Sequence, residues 1–381
     1  MKRRERVLSR VTSWSVVLCV LAGRPVFALA QNRSGVKEHL ADRGVTITPQ
    51  YGAVLSDLDN GRGQKGTYSG NLNVQVSLDG DRLFGRSGLT LFVDGLWIHG
   101  GQPSALLGDA QGVSNLSASP KVTLYEAWLQ YNVLGNRFSA LAGRYDLNTE
   151  FYRLRSAGLF LNSSFGIGPE FSGSGAGGPS IFPSTSLGVR LAYKPKPNVV
   201  VRGSILDGVP VDRADGSVAA FRSVDGLLLV SEVALLNRGA SGDRMERLRF
   251  RIGRASGLPP YDNKFAAGGW YYTAAFDDLS NVDANGTPRQ DRGSAGAYVV
   301  GDATLFRSKT DQRRLTGFVE AGLADARVNR FGSYVGAGSV ATGPVTRRPA
   351  DELGVAVAIA TPSSSAGRVG TGPVATEPAP T

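Results

Sequence analysis

Along most of this chain, apolar and polar residues alternate with a period of two. In Asn71 to Leu78, the residues Leu72, Val74, Val76 and Leu78 fall on one face and Asn71, Asn73, Gln75 and Ser77 on the other. Leu187, Val189, Leu191 and Tyr193 oppose Gly188, Arg190, Ala192 and Lys194 in the same way. So do Leu315, Gly317, Val319, Ala321 and Leu323 against Arg314, Thr316, Phe318 and Glu320. Tyr125, Ala127, Leu129 and Tyr131 likewise oppose Leu124, Glu126, Trp128 and Gln130. Successive side chains on a β-strand point to opposite faces, so each stretch predicts a strand with one apolar and one more polar face.

The pattern predicts thirteen strands, at about 46–57, 67–79, 87–99, 120–131, 137–147, 185–194, 198–207, 227–236, 265–277, 295–307, 313–323, 331–341 and 351–360. Half-buried strands of a soluble sandwich alternate in the same way, and three features favour a membrane barrel instead. The runs reach roughly 9–13 residues, near the bilayer-spanning length rather than the ~5–6 of soluble sheets. Tyr125 and Tyr131 end one apolar face, where an aromatic girdle would lie. The links after the second, fourth, sixth and tenth strands are tight, as in Asn132 to Asn136 and Pro195 to Pro197, and those after the third, fifth, seventh and ninth are long. Membrane barrels have this asymmetry of short periplasmic turns and long outer loops. Arg247 to Ile252 also alternates, but a strand there breaks the long–short order, so it is assigned to the 237–264 connection. The expected fold is all-β, a transmembrane antiparallel β-barrel of porin type over residues 46–360.

The first thirty residues read as an export signal. Lys2, Arg3, Arg4, Arg6 and Arg10 precede the short apolar run Val11 to Leu21, and Ala28-Leu29-Ala30 offers a small-x-small cleavage pattern. After residue 30 no apolar run approaches the ~20 residues of a membrane helix. The whole chain carries 42 basic and 32 acidic residues, a net charge of +10. Removal of residues 1–30 takes away six of the former and one of the latter, leaving 36 against 31, or +5. That modest excess is not clustered, which argues against nucleic-acid binding. The single cysteine, Cys19, lies in the signal, so the exported chain has no disulfide.

Enzyme chemistry has little footing. The histidines are His39, in a predicted helix, and His99, at a strand end, neither near a second cluster of ligand-type residues. No G-x-S-x-G elbow occurs. Gly173 to Gly178 spells G-x-G-x-x-G, but Pro179 and Pro183 follow where a cofactor-binding helix would have to start. No catalytic residue, metal ligand or cofactor is expected.

Tyr125-Glu126-Ala127-Trp128, Gly143-Arg144-Tyr145-Asp146 and Leu161-Asn162-Ser163-Ser164-Phe165-Gly166 resemble, in order and spacing, the carbohydrate-selective porins of the OprB family. Gly269-Trp270-Tyr271-Tyr272-Thr273, Gly296-Ala297-Tyr298 and Arg348-Pro349-Ala350-Asp351-Glu352-Leu353-Gly354 extend the resemblance, which runs from about residue 36 to 360. It implies an aqueous barrel of about 16 strands that passes small sugars. It also implies a short N-terminal helix, here Ser34 to Arg43 within a 31–45 segment, against the periplasmic mouth. Outer-membrane lipid and the barrel assembly machinery would be its other partners. The alternation supplies thirteen strands, and the segment 361–381, rich in Pro, Ser, Gly and Thr, is predicted to be disordered and lacks the family's terminal aromatic strand.

In a porin the polar faces line water and select. The inward set is expected to include Asn73, Gln75, Glu126, Trp128, Arg144, Asp146, Arg190, Arg202, Glu232 and Glu320. Arg and carboxylate groups exchange hydrogen bonds with hydroxyls, and Trp128 beside Glu126 offers a ring for a sugar's C–H face. The competing reading is that inward Arg and Glu pair across strands. The long stretch Asn148 to Ser184, with Arg153 and Arg155, is expected to fold inward and narrow the pore. Other functions compatible with the pattern are an outer-membrane adhesin or receptor using its long loops, and a soluble exported glycan-binding β-protein.

Overall fold

In the computed structural model the described residues are 34–59, 64–210, 225–237, 261–308, 313–345 and 348–363. They form thirteen strands: β1 (Val45–Asp59), β2 (Gln64–Asp79), β3 (Leu89–Gly100), β4 (Lys121–Val133), β5 (Phe138–Tyr145), β6 (Ser186–Lys196), β7 (Val199–Asp207), β8 (Leu227–Asn237), β9 (Asn263–Val282), β10 (Pro288–Arg307), β11 (Arg314–Ala324), β12 (Phe331–Thr342) and β13 (Glu352–Pro362). Every strand pairs antiparallel with its neighbours in sequence, so one continuous sheet runs in the order β1 to β13. Among the described residues β1 and β13 are its two edges. The four helices are short: α1 (Ser34–Asp42), α2 (Gly80–Phe84), α3 (Pro103–Leu107) and α4 (Pro169–Ser172). None is long and apolar enough to cross a membrane, and the crossing elements are strands.

The alternation read from the sequence fixes which face is which. Val74, Val189, Leu191, Val233, Leu235, Phe265, Val299 and Val319 are 42–59% exposed on the outer face. Their neighbours Gln75, Arg190, Glu232, Lys264, Val300, Phe318 and Glu320 are all buried inside. Such an exposed belt of large apolar residues is costly in water and favourable against hydrocarbon. At the end of the wall with the tight turns, Tyr131 and Tyr193 face outward. Towards the other end Tyr51, Tyr68, Trp97 and His99 form an outer aromatic patch, with Trp97 and His99 rings 4.7 Å apart.

Tyr125 is not part of that girdle. The β3–β4 register shifts between Asp94 and Gly95, which pair with Glu126 and Leu124, so Tyr125 is the extra residue of a bulge. The bulge turns Tyr125 inward beside Glu126, and its hydroxyl donates to Asp146 Oδ2 at 2.7 Å.

The ninth link also differs from expectation. β9 and β10 run to Val282 and from Pro288, leaving the turn at 283–287 instead of a long loop. Asp283 Oδ1 closes this turn by accepting from the Asn285 and Thr287 amides. The flanking residues are polar on both faces, as suits a hairpin projecting into water, and so give no period-two signal.

α1 occupies the predicted N-terminal position. Its end is tied to the β2–α2 corner, where Arg82 donates to Ala41 O at 2.5 Å and the Asp79 amide to Gly44 O at 2.8 Å. That corner belongs to the end of the sheet with the tight β4–β5 and β6–β7 turns. β13 continues through Thr361 and Pro362, two residues into the segment predicted to be disordered. The signal segment, Arg247 to Ile252 and the remainder of the C-terminal segment from residue 364 lie outside the described residues.

Candidate functional site

The long β5–β6 connection does not project outward; it folds inside the wall. Asp146 begins it, accepting from the Asn148 amide at 2.8 Å and capping a 3-10 turn at Leu147–Thr149. Further single turns follow at Ala157–Leu159, Ser163–Phe165 and α4. Leu147, Phe151, Tyr152, Ala157 and Phe171 are fully buried. They join one apolar cluster with inward residues of the wall, among them Val230, Trp270, Tyr272, Tyr298, Val300 and Phe318. Phe171 stacks on Trp270 with ring centroids 4.1 Å apart, and Tyr152 meets Tyr298 at 4.4 Å. Among the described residues the larger hydrophobic core is therefore the interface between this loop and the inner face of the wall.

Close approach depends on small residues in the wall. Gly143 has φ +138, and a Cβ there would run into the Ala127 carbonyl oxygen and the Trp128 Cα, so only glycine lets β5 approach β4 this closely. Gly322 leaves the space that the Glu170 carboxylate enters from the loop.

Polar anchors fix the loop's register. The segment Glu150 to Ser156 crosses the inner wall with nearly every residue held. Glu150 forms an ion pair with Arg190 at 2.7 Å, and its carbonyl accepts from Arg202 at 3.2 Å. The Tyr152 amide donates to Glu232 at 2.9 Å, and Lys264 Nζ donates to Arg153 O at 2.8 Å. The Arg155 and Ser156 amides both donate to Asp302 Oδ2 at 3.1 Å, and the Ser156 hydroxyl to Asp302 Oδ1 at 2.7 Å. Glu232 is a hub that also binds Arg202 at 3.0 Å, Tyr298 OH at 2.9 Å and Lys264 at 3.5 Å. Removing one partner of such a buried pair strands a charge away from water, at about 3–5 kcal/mol.

From Tyr152 to Ser156 the side chains alternate like those of a strand, whereas Phe151 before them is buried as well. Tyr152 and Leu154 are buried against the wall, whereas Arg153 is exposed and Arg155 half-buried, its guanidinium 5.2 Å from the Tyr261 ring centroid. Farther along the loop, Glu170 accepts from Tyr152 OH at 3.0 Å, and Glu320 on β11 accepts from Tyr334 OH at 3.3 Å. Glu170 Oε2 and Glu320 Oε1 are buried without a hydrogen-bond partner. Burial pushes the Glu170 carboxyl up to about 7 and the Tyr152 phenol well above its ordinary value.

The sequence-predicted residues divide accordingly. Glu126, Trp128, Arg190, Arg202 and Glu320 face inward as the alternation requires, and all are buried. Glu126 accepts from the Trp128 indole at 3.3 Å and from the Asp146 amide at 3.0 Å, while Trp128 stacks on Phe92 at 4.9 Å. Arg144 departs from expectation. It pairs directly with Ala127 and Leu187, which share the outer face with Leu129 and Val189, and its Nε donates to Thr185 Oγ1 at 2.8 Å. It stands next to the last residue of β5 beside the rim, where an outward guanidinium reaches the Thr185 hydroxyl instead of mid-bilayer hydrocarbon. Glu150, Lys264, Asp302 and Glu170 were missed. Asp302 had a signal, because it shares the inward parity of Tyr298 and Val300; the loop residues had none.

The OprB family of carbohydrate-selective porins matches residues 63–375, a span that takes in most of the low-complexity C-terminal segment. No curated protein matches. The fold is similar to the high-pH structure of Pseudomonas putida OprB, with a TM-score of 0.73 at 19% identity over 87% of this chain and 79% of that one. The low-pH structure of the same porin is matched with a TM-score of 0.52 at 15% identity over 87% and 82%. With the single antiparallel wall, the apolar outer belt and the family match over most of its length, this chain belongs to the OprB family of outer-membrane carbohydrate-selective porins.

Proposed function

We propose that small sugars pass through a lumen narrowed by the Asp146–Thr185 loop, and that Arg153 and Arg155 are the loop's contribution to the pore lining. One observation carries this reading: the anchored segment buries Tyr152 and Leu154 against the wall and leaves Arg153 exposed on the opposite side. A guanidinium offers five donors in a fixed plane, which suits the hydroxyl pairs of a sugar. Glu126, Trp128, Arg190, Arg202 and Glu320 then act by holding the loop and wall together, not by touching the solute. The polar inner faces of β1 and β2, with Gln50, Asn73 and Ser77, provide the wet wall opposite.

The outer apolar belt is read as the lipid contact, and insertion would pass through the barrel assembly machinery. Liposome swelling tests the channel reading. Vesicles carrying the purified protein should swell in isotonic glucose faster than empty vesicles, and Arg153→Ala should alter that rate. Swelling at the rate of empty vesicles would contradict the proposal.

A further inference from the structure

Arg153 can act as a selectivity charge only if its backbone is held still, and the groups holding it are remote from the lumen. We infer that Glu232 and Asp302 are positioning residues of the pore: two wall carboxylates that clamp the Glu150–Ser156 segment by its main-chain amides and so set where the Arg153 and Arg155 charges stand. This rests on the reading of the loop as the constriction.

Three features support the assignment. First, the contacts are to main-chain groups, so they fix the path of the segment whatever side chains it carries. Glu232 takes the Tyr152 amide, and Asp302 takes the consecutive amides of Arg155 and Ser156. Ionised carboxylates are the strongest acceptors available for backbone N–H groups. Second, the clamp brackets the exposed residue. Arg153 lies between the two anchoring points, and its own carbonyl is held by Lys264, which also faces Glu232. Third, both carboxylates are themselves fixed. Glu232 is braced by Arg202 and Tyr298, and Asp302 by Tyr261, whose hydroxyl donates at 3.1 Å. Glu232 and Asp302 are each 1% exposed, so neither meets a solute directly.

A role in positioning differs from a role in stability by what it changes. Loosening the clamp should leave the wall assembled, because the sheet's hydrogen bonds do not pass through these side chains, yet let the Arg153 charge move away from the axis of flow. The readout is the reversal potential of reconstituted channels in a KCl gradient, which reports the sign and closeness of fixed charge in the narrowest section.

The test compares wild type with Arg153→Ala, Asp302→Asn and Ser156→Ala, each first checked for heat-modifiable mobility on gels. Arg153→Ala should shift the reversal potential towards cation selectivity. Asp302→Asn keeps the shape of the side chain but turns one acceptor into a donor facing the Arg155 and Ser156 amides, and should reproduce most of that shift with Arg153 still present. Ser156→Ala leaves the wall untouched and removes one of the bonds to Asp302, so it should give a smaller shift in the same direction even if Asp302→Asn fails to assemble. Ser156→Cys combined with Asp302→Cys, at a pair whose side chains already touch, should restore the wild-type potential when oxidised and lose it on reduction. If Arg153→Ala shifts the potential and neither Asp302→Asn nor Ser156→Ala does, the positioning role is overturned and the constriction reading stands. If Arg153→Ala itself has no effect, the constriction reading fails and the clamp has nothing to position.

Discussion

The two halves of the wall solve different problems with the same strand pattern. In β1 and β2 the inner face is polar, with Thr46, Thr48, Gln50, Asn71, Asn73, Gln75 and Ser77, and the outer face is apolar. Asn73 and Gln75 both donate to Asp94 on β3, at 3.0–3.2 Å, forming a polar patch that needs no cover. In β8 to β11 the inner face carries Leu228, Val230, Trp270, Tyr272, Tyr298, Val300 and Phe318, all buried. These residues would be as costly in a wet lumen as in any aqueous setting, and the β5–β6 loop covers them. The first half is a membrane barrel wall. The second is half of a globular core whose other half is the loop.

The largest effect should come from breaking that core. Phe171→Ala removes the ring stacked on Trp270, and docking of the loop should weaken by about 3–5 kcal/mol. Limited proteolysis in detergent should then cut within 146–185 while the strands stay protected. The equivalent polar half has no such dependence, so no substitution in β1 or β2 should expose this loop.

Next in size is the outer face. Val189→Arg places a charge on the apolar belt of β6 and should reduce folding into lipid vesicles by about 2–4 kcal/mol near mid-bilayer. Urea titration of the vesicle-bound protein measures it.

Loop docking should also depend on pH. The Glu170 carboxyl is raised from 4.5 to about 7 because burial disfavours its charged form. Docking is therefore strongest below the ordinary carboxylate pKa and weakens as pH rises through about 7, by about 3 kcal/mol in all. Tyr152 OH donates to it, and Glu320 and Tyr334 stand beside it. Protease protection of the loop, followed from pH 4 to 9, should fall in wild type and stay level in Glu170→Gln. A flat wild-type profile would remove the pair from the account.

The smallest effect belongs to the polar half. Gln75→Ala loses one hydrogen bond to Asp94, which keeps its bonds from Asn73, so the cost should be about 1–2 kcal/mol with no change in loop protection.

This contrast also explains what could be read from the residues. Period two made all thirteen strands visible, and where the inner face is polar, as in Asn71 to Leu78, it named both faces correctly. In β8 the run Leu227 to Leu236 is apolar on both sides apart from Ser231 and Glu232, because one side faces lipid and the other faces the loop, so alternation marked a strand without its environment. Tyr125 was placed on the wrong face because a single-residue bulge reverses the parity of everything before it. Alternation put Arg144 inward, whereas its strand register puts it on the outer face near the rim. The loop's inward path was legible as length and as two arginines, but its anchors come from strands far away in sequence. Lys264 lies 111 residues and Asp302 147 residues from the loop residues they hold, and no local pattern records such a contact.

The central claim is that the docked Asp146–Thr185 loop sets the width of the pore. Single-channel conductance in planar bilayers, wild type against Phe171→Ala, tests it most directly. A rise in conductance, with weaker block of the current by added glucose, is the expected result. Unchanged conductance in a variant whose loop has become protease-sensitive would mean that the loop fills the wall without gating the path, and would contradict the account.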